Sequence, residues 1–416
     1  MSQKSLGVAI DIGTTTVVLY LVDVDSGDRL AVLSEINAQS EHGADVTARI
    51  QFCADNGHEV LTKLIREQIG DMIEKACQST NIEPDQIESI SIAGNTIMQH
   101  LVAGYSPESM GVAPFTPTSL FGGVLPVWDG LSVAKNAKIY YAPAISAYVG
   151  GDVTAGLLAA GFDRIATPAL FIDIGTNGEI VLKHEGTYYC CATAAGPAFE
   201  GAEIEMGMIA APGAIDHVMW DKWDKGEDGI TYTVVGGGAP KGICGSGLLD
   251  TLAALLNMGA VDETGRLLDM EKFYLAKRDE ACKESSLKGK SEQNKDVYIT
   301  AGDIRKLQLA KAAIAAGVQV LLHHACICAE DVKTLALAGG FGSYLDLRSA
   351  ARVGLFPREM LPVAIACGNT SGEGAVLALR SERGKKQLEE IRESCQYIDL
   401  SAMAFFNDKF VDEMVF

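Results

Sequence analysis

Apolar and polar positions along this chain follow two periods, one of two residues and one of about 3.6, and the switches between them mark its elements. From Val8 the run VAIDIGTTTVVLYLVD gives an apolar strand, a polar turn at Asp11-Ile12-Gly13-Thr14-Thr15-Thr16 and a second, β-branched strand. Residues 41–80 carry apolar side chains at helical spacing (Val46, Ile50, Val60, Leu64, Ile65, Ile69, Met72, Ile73), which predicts helices covering a sheet. IESISIAGNTIMQHL predicts a strand that ends at Ala93-Gly94 and a helix capped by Asn95 or Thr96; His100 in that helix reads as a packed or surface residue rather than a ligand. With Pro107, Pro114, Pro117 and Pro126, residues 105–140 read as an irregular surface excursion. In ISAYVGGDVTAGLLAAGF, Gly150-Gly151 ends an extended segment and Asp152 opens a helix rich in Ala and Gly, where an N-cap is the plain role for Asp152.

The second half repeats these parts. LFIDIGTNGEI, Leu170 to Ile180, is again a strand, an Asp (Asp173), a turn through Gly175, Thr176, Asn177 and Gly178, and a strand. CCATAAGPAFEGAEIEMGM, with Glu200, Glu203 and Glu205, reads as an acidic loop, and WDKWDKGEDG as a hairpin tip. GGGAPKGICGSGLLD leads into a helix, and Gly245 and Ser246 mark a third place where backbone can approach a phosphate or ribose. Residues 276–296 are charged and read as an insertion; Gly289-Lys290-Ser291 inside it mimics a P-loop, but position 284 is Glu and no strand precedes it. A periodic helix follows Thr300, with Asp303 near its start. TLALAGGFGSYLD repeats the strand, Ala-Gly, helix plan, and CGNTSGEGA opens a second Gly/Ala helix.

The duplicated hairpin is the candidate for chemistry. Glycine permits left-handed turn conformations, turn N–H groups point outward, and Thr hydroxyls (Thr14, Thr15 and Thr16 in the first copy, Thr176 in the second) add donors, so each tip suits phosphate oxygens. Asp11 and Asp173, at the strand ends, are placed to hold Mg²⁺ through water. Two such units predict two similar α/β halves whose hairpins face one nucleotide.

Composition narrows the partners. A chain of 416 residues predicts two domains, taken as 1–165 and 166–416. A formal charge of −20 excludes nucleic acid and anionic membranes as partners, because both would repel it. No apolar run reaches the ~18 residues a membrane span needs, and Asp11 interrupts the only N-terminal apolar stretch, so a cytoplasmic location is expected. Ten Cys without a Cys-x-x-Cys pair read as reduced thiols rather than a zinc or iron–sulfur set.

Two Asp-Ile-Gly-Thr hairpins, an Ala-Gly-Asn strand end, a Gly-Gly-Phe-Gly strand end and two Gly/Ala helices together resemble the superfamily of acetate and sugar kinases, heat-shock chaperones and actin. That resemblance implies two duplicated ribonuclease-H-like, actin-like α/β halves with a nucleotide cleft between them and closure about the two helices. It implies Asp11 to Thr16 and Asp173 to Gly178 as phosphate elements, and Gly339, Gly340 and Gly342 as the adenosine element. Asp152 matches the segment that carries the base in many sugar kinases, with Glu179 as the second candidate. At finer grain, Asn37 with GADVTARI, AGNTIMQHL, YYAPAISAYVGGD, AGPAFEGA, GICGSGLLD, DIRKLQLAKAAI and LAGGFGSYLD make nearly the whole chain similar to the ATPase portion of reductive activators of corrinoid proteins. The implied activity is ATP-dependent reduction of a Co(II) corrinoid protein to Co(I), in a homodimer that uses ATP and Mg²⁺. Typical members add an iron–sulfur domain; this chain offers no cluster motif, so no cluster is expected in it and a separate ferredoxin-like protein is expected to supply the electron. A cluster shared across a dimer, a small-molecule kinase and a non-redox regulator or chaperone of a corrinoid protein are the alternatives.

Overall fold

The computed structural model describes residues 5–221, 229–277, 296–340 and 345–416. The acidic turn around Trp223, most of the 276–296 insertion and Gly342 lie outside these described residues. In chain order the first half contains β1 (Leu6–Ile12), β2 (Thr16–Asp23), β3 (Arg29–Ile36), α1 (Val46–Asn56), α2 (Glu59–Thr80), β4 (Ile87–Gly94), α3 (Thr96–Ala103), β5 (Val124–Pro126), β6 (Lys138–Tyr141) and α4 (Gly151–Ala159). The remainder contains β7 (Ala169–Ile174), β8 (Gly178–His184), β9 (Thr187–Thr193), β10 (Ala214–Trp220), β11 (Ile230–Val234), β12 (Gly242–Ile243) and α5 (Gly245–Met258), then β13 (Lys272–Ala276), β14 (Val297–Thr300), α6 (Ala301–His324), β15 (Thr334–Ala338), α7 (Leu347–Val353), β16 (Ala364–Gly368), α8 (Thr370–Arg380), α9 (Glu382–Glu393), β17 (Cys395–Tyr397) and α10 (Ala404–Asp412).

Two six-stranded sheets carry one plan. The first has the order β3-β2-β1-β4-β6-β5, with β1 antiparallel to β2 and parallel to β4, and β4 parallel to β6. The second has the order β16-β15-β7-β8-β9-β17. In both, a hairpin meander is followed by the next strands added on the side of its first strand, and β15 and β16 pair in parallel as β4 and β6 do. This mixed α/β repeat is the actin-like fold that the duplicated motif implies.

Contact density divides the chain into two compact units. The first comprises Met1–Phe171, Val181–Cys191 and Asn369–Ile398; the second comprises Ile172–Ile180, Ala192–Gly368 and Asp399–Phe416. In the first unit β1 is buried on both faces, which its near-continuous apolar sequence requires, and α2 covers that sheet with Leu61, Ile65, Ile69, Met72 and Ile73. Also within it, α4 and α8 lie so close that a Cβ on Gly374 would come within 2.1 Å of the Ala155 carbonyl oxygen. Small residues on both helices are the reason they can meet. The stretch 105–140 is mostly irregular, as its prolines require, with a 3₁₀ turn at Glu108–Met110, the short β5 and the start of β6.

Candidate functional site

In the first unit four chain segments converge on the turn between β1 and β2, and glycines allow the approach. Gly94, at the end of β4, has φ +156°, and a Cβ there would sit 2.6 Å from the Ile12 carbonyl oxygen. Gly150 packs on the same corner, where a Cβ would meet the Asn95 Cα at 2.6 Å. This seats the start of α4, and with it Asp152, beside β1.

Asn95 is the N-cap of α3, its side chain accepting from the Met98 N–H, and its amide donates to the Thr14 hydroxyl at 3.0 Å. Behind the turn, Asn37 donates to the Gly13 carbonyl at 2.8 Å and the buried Arg49 donates to the Thr14 carbonyl. The Gly13 and Thr14 carbonyls are thus held from behind, the Gly13 N–H closes the turn on the Thr16 carbonyl at 2.9 Å, and the Thr14 hydroxyl, which accepts from Asn95, has a proton to give to an anion.

Asp11 accepts from the Ser371 hydroxyl at 2.7 Å, across 360 positions of sequence. Burial pushes its pKa up, while hydrogen bonds from Ser371 and Asn369 pull it down. Asp152 is not the N-cap of α4, a place taken by Gly150; it lies in the first turn and accepts its neighbour Val153 N–H at 2.8 Å. Burial first, and the Asp11 charge with it, push Asp152 up to about 7. Both carboxylates lie deep in the fold yet keep some contact with solvent. The groups that shift them include no cation. Two neighbouring acids in a low-dielectric setting call for a proton or a metal ion between them, and their hard oxygen donors suit Mg²⁺.

The second hairpin, in the second unit, is built alike and wired differently. Gly339, with φ +118°, packs on the end of β7, where a Cβ would sit 2.2 Å from the Ile174 carbonyl oxygen. The turn closes with Gly175 N–H donating to the Asn177 carbonyl at 3.0 Å. Here the Thr176 hydroxyl donates to the Glu200 carboxylate at 2.9 Å. Glu179 is buried. The hairpin glycines themselves correct one expectation: Gly13, Gly175 and Gly178 do not have positive φ. Space is what Gly13 and Gly178 supply, since a Cβ would meet the Thr16 carbonyl oxygen at 2.9 Å at the first and Ile314 at 2.7 Å at the second.

At the start of α5, Gly245 and Ser246 are buried, and the Ser246 hydroxyl donates to the Asp216 carbonyl at 2.8 Å. Gly340 has nothing within 4 Å of where a Cβ would stand among the described residues. Sequence reading missed Glu200 as a partner of the hairpin and Ser371 as a partner of Asp11. A Glu three residues after Pro197 in a Gly-rich run and a Ser one residue into a helix carry no spacing signal for these contacts.

A family model described as the RACo middle region matches residues 6–165, and one described as the C-terminal domain of RACo, the ASKHA domain, matches residues 167–416. The chain belongs to the RACo family. It is similar to the corrinoid activation enzyme RamQ of Eubacterium limosum, 35% identical over 428 residues that cover 99% of this chain and 70% of that protein. It is also similar to the [Co(II) methylated amine-specific corrinoid protein] reductase of Methanosarcina barkeri, 25% identical over 444 residues, covering 98% of this chain and 76% of the relative. Among solved structures, a reductive activator for corrinoid, iron–sulfur protein superposes with a TM-score of 0.89 at 37% identity, covering 100% of this chain and 66% of that one. This chain therefore spans about two thirds of the solved relative. Family membership and the repeated sheet order together give the fold expected from the hairpins. Among the described residues no helix is long and apolar enough to cross a membrane.

Proposed function

We propose that this protein is an ATPase that helps reduce a Co(II) corrinoid protein to Co(I), with the electron supplied by a separate redox partner such as a ferredoxin-like protein. The observation that carries the chemistry is the pair of deep carboxylates, Asp11 and Asp152, beside a turn whose Thr14 hydroxyl has a proton to give to an anion; membership of the corrinoid-activating family carries the substrate class. The two hairpins are the phosphate elements, the first offering the Thr14 hydroxyl and the second its turn backbone, since Glu200 already holds the Thr176 proton. The adenosine falls to the Gly339 and Gly340 turn.

Asp11 in the first hairpin and Asp173 in the second would hold Mg²⁺, which would supply positive charge against the phosphates. Asp152 accepts the proton of the attacking water; burial pushes its pKa up to about 7, toward the range where a general base combines availability with strength. The hydrolysed γ-phosphate leaves as inorganic phosphate. Reduction itself is one electron, Co(II) to Co(I), and about 59 mV corresponds to about 1.4 kcal/mol for one electron. ATP turnover supplies free energy on that scale by favouring the form of the complex that accepts the electron.

The test is the cobalt spectrum of a corrinoid protein mixed with this chain, a reductant and ATP. Conversion of Co(II) to Co(I) features only with ATP is expected. Co(II) features indifferent to ATP reject the reading, and a phosphorylated metabolite in place of free phosphate would move the protein to the kinases.

A further inference from the structure

Arg49 is among the largest side chains sealed in the first unit and the one charged group of that size there among the described residues, with 0% exposure. Among the described residues its guanidinium bonds only neutral acceptors: the Thr14 carbonyl, the Gly43 carbonyl at 3.1 Å, and Gln39 Oε1 at 3.2 Å, with the Met98 sulfur at 3.0 Å. Asp45, the N-cap of α1, acts on it only at longer range, and Arg49 is not among the groups that shift Asp11 or Asp152. Burial lowers its pKa to about 10, so it remains a cation at neutral pH. A charge held in the interior is costly unless an opposite charge answers it. Here the protein supplies carbonyl dipoles and the longer-range charge of Asp45, but among the described residues no carboxylate in bonding contact.

We propose that Arg49 is the charge-selecting and positioning residue of the first hairpin, its buried cation answered by the polyphosphate of the nucleotide, so that affinity scales with phosphate charge. The inference rests on the nucleotide reading above. Arg49 touches no ligand itself; it acts through the Thr14 peptide it holds and through its field, which the low-dielectric interior transmits with little screening.

The experiment is equilibrium binding of ATP, ADP and AMP to the full chain, with melting temperature measured in the absence of nucleotide. Arg49→Met is expected to lose on the order of ten-fold or more in ATP affinity, with AMP affinity nearly unchanged. Arg49→Lys, which keeps the charge, restores most of the ATP-to-AMP preference. Asp45→Asn keeps the helix cap, removes the nearest opposing charge and raises that preference a few-fold. A folded Arg49→Met with the wild-type preference overturns the proposal, as does an equal loss for all three nucleotides in step with melting temperature, or a Lys variant as poor as Met. If Arg49→Met does not fold, an unchanged preference in Asp45→Asn overturns it instead. Wild-type protein that binds no ATP rejects the nucleotide reading rather than this refinement of it.

Discussion

The two hairpins of this chain share a sequence plan and a backbone contact but carry opposite electrostatics. In each, a glycine at the end of a neighbouring strand lies on the carbonyl of the Ile that ends the hairpin's first strand, Gly94 on Ile12 and Gly339 on Ile174. In the first, the Thr14 hydroxyl accepts from an amide; in the second, the Thr176 hydroxyl donates to a carboxylate. The first hairpin therefore offers a proton to an anion, whereas the second has its proton engaged by an anion already in place. Duplication conserves what backbone geometry demands. The side chains that set the charge come from elsewhere in the chain, so they are free to differ.

The largest consequence concerns which unit holds the base. Asp152→Asn is expected to leave ATP binding intact and lower hydrolysis by ~10²-fold or more, and Glu179→Gln to cost far less. An equal loss at Glu179 would transfer the base to the second hairpin. A base at Asp152 would make the wild-type rate rise with pH through about 7, since a base acts in its ionised form. The stability sign follows from the same shift. Between the ordinary value of 3.8 and about 7 the folded state holds a proton that the unfolded chain has released, so stability falls as pH rises across that window and levels off above it. In thermal melts Asp152→Asn should flatten this slope and melt above wild type at pH 8; a parallel slope would show that Asp152 is not the group responsible.

Next in size is the shared contact. Gly339→Ala and Gly94→Ala both place a Cβ against backbone at positive φ, and each should destabilise by about 2 kcal/mol or more, Gly339 more than Gly94 because its gap is 2.2 Å against 2.6 Å. Gly340→Ala, with open space, is the control. Urea midpoints read the difference, and two tolerated substitutions would mean that the turns relax independently of the glycines.

These cases show what sequence could disclose. Hairpins, helices and the repeat were legible because period and punctuation are local: Asp11-Ile-Gly-Thr and Asp173-Ile-Gly-Thr announce turns, and Ala93-Gly94-Asn95 announces a strand end and a cap. The role of glycine at those turns was not legible, since φ and crowding both select glycine and only coordinates separate them. Nor were Ser371 on Asp11 or Glu200 on Thr176, which depend on where distant segments are brought by packing. Asp152 read equally well as a cap; its carboxylate becomes distinctive only once Gly150 and Gly151 seat it beside Asp11.

The hydroxyl asymmetry can be reversed by single atoms. Asn95→Asp keeps the helix cap but turns the amide donor into an acceptor, which makes the first hairpin resemble the second; ATP affinity should fall about ten-fold. Glu200→Gln releases Thr176 from a carboxylate and should raise affinity a few-fold, in roughly the range of one charged hydrogen bond. Titration with ATP at fixed Mg²⁺ reads both. Changes of the same sign would dissolve the distinction between the hairpins.

The smallest expected effect tests whether Asp11 depends on its long-range partner. Ser371→Ala removes one of the two hydrogen bonds that oppose burial at Asp11, so its pKa should climb further and its carboxylate should be less available at a given pH. A Mg²⁺ ion held at Asp11 would compete with a proton for that carboxylate, so the Mg²⁺ concentration needed for half-maximal ATPase activity should rise about two- to three-fold, more at pH 6 than at pH 8. A rise of equal size at both values would assign Ser371 to packing of α8 rather than to the charge of Asp11. The second hairpin supplies the reference: Ser371 and Asp11 belong to the first unit, so mutations at Glu200 should leave this pH dependence where it is.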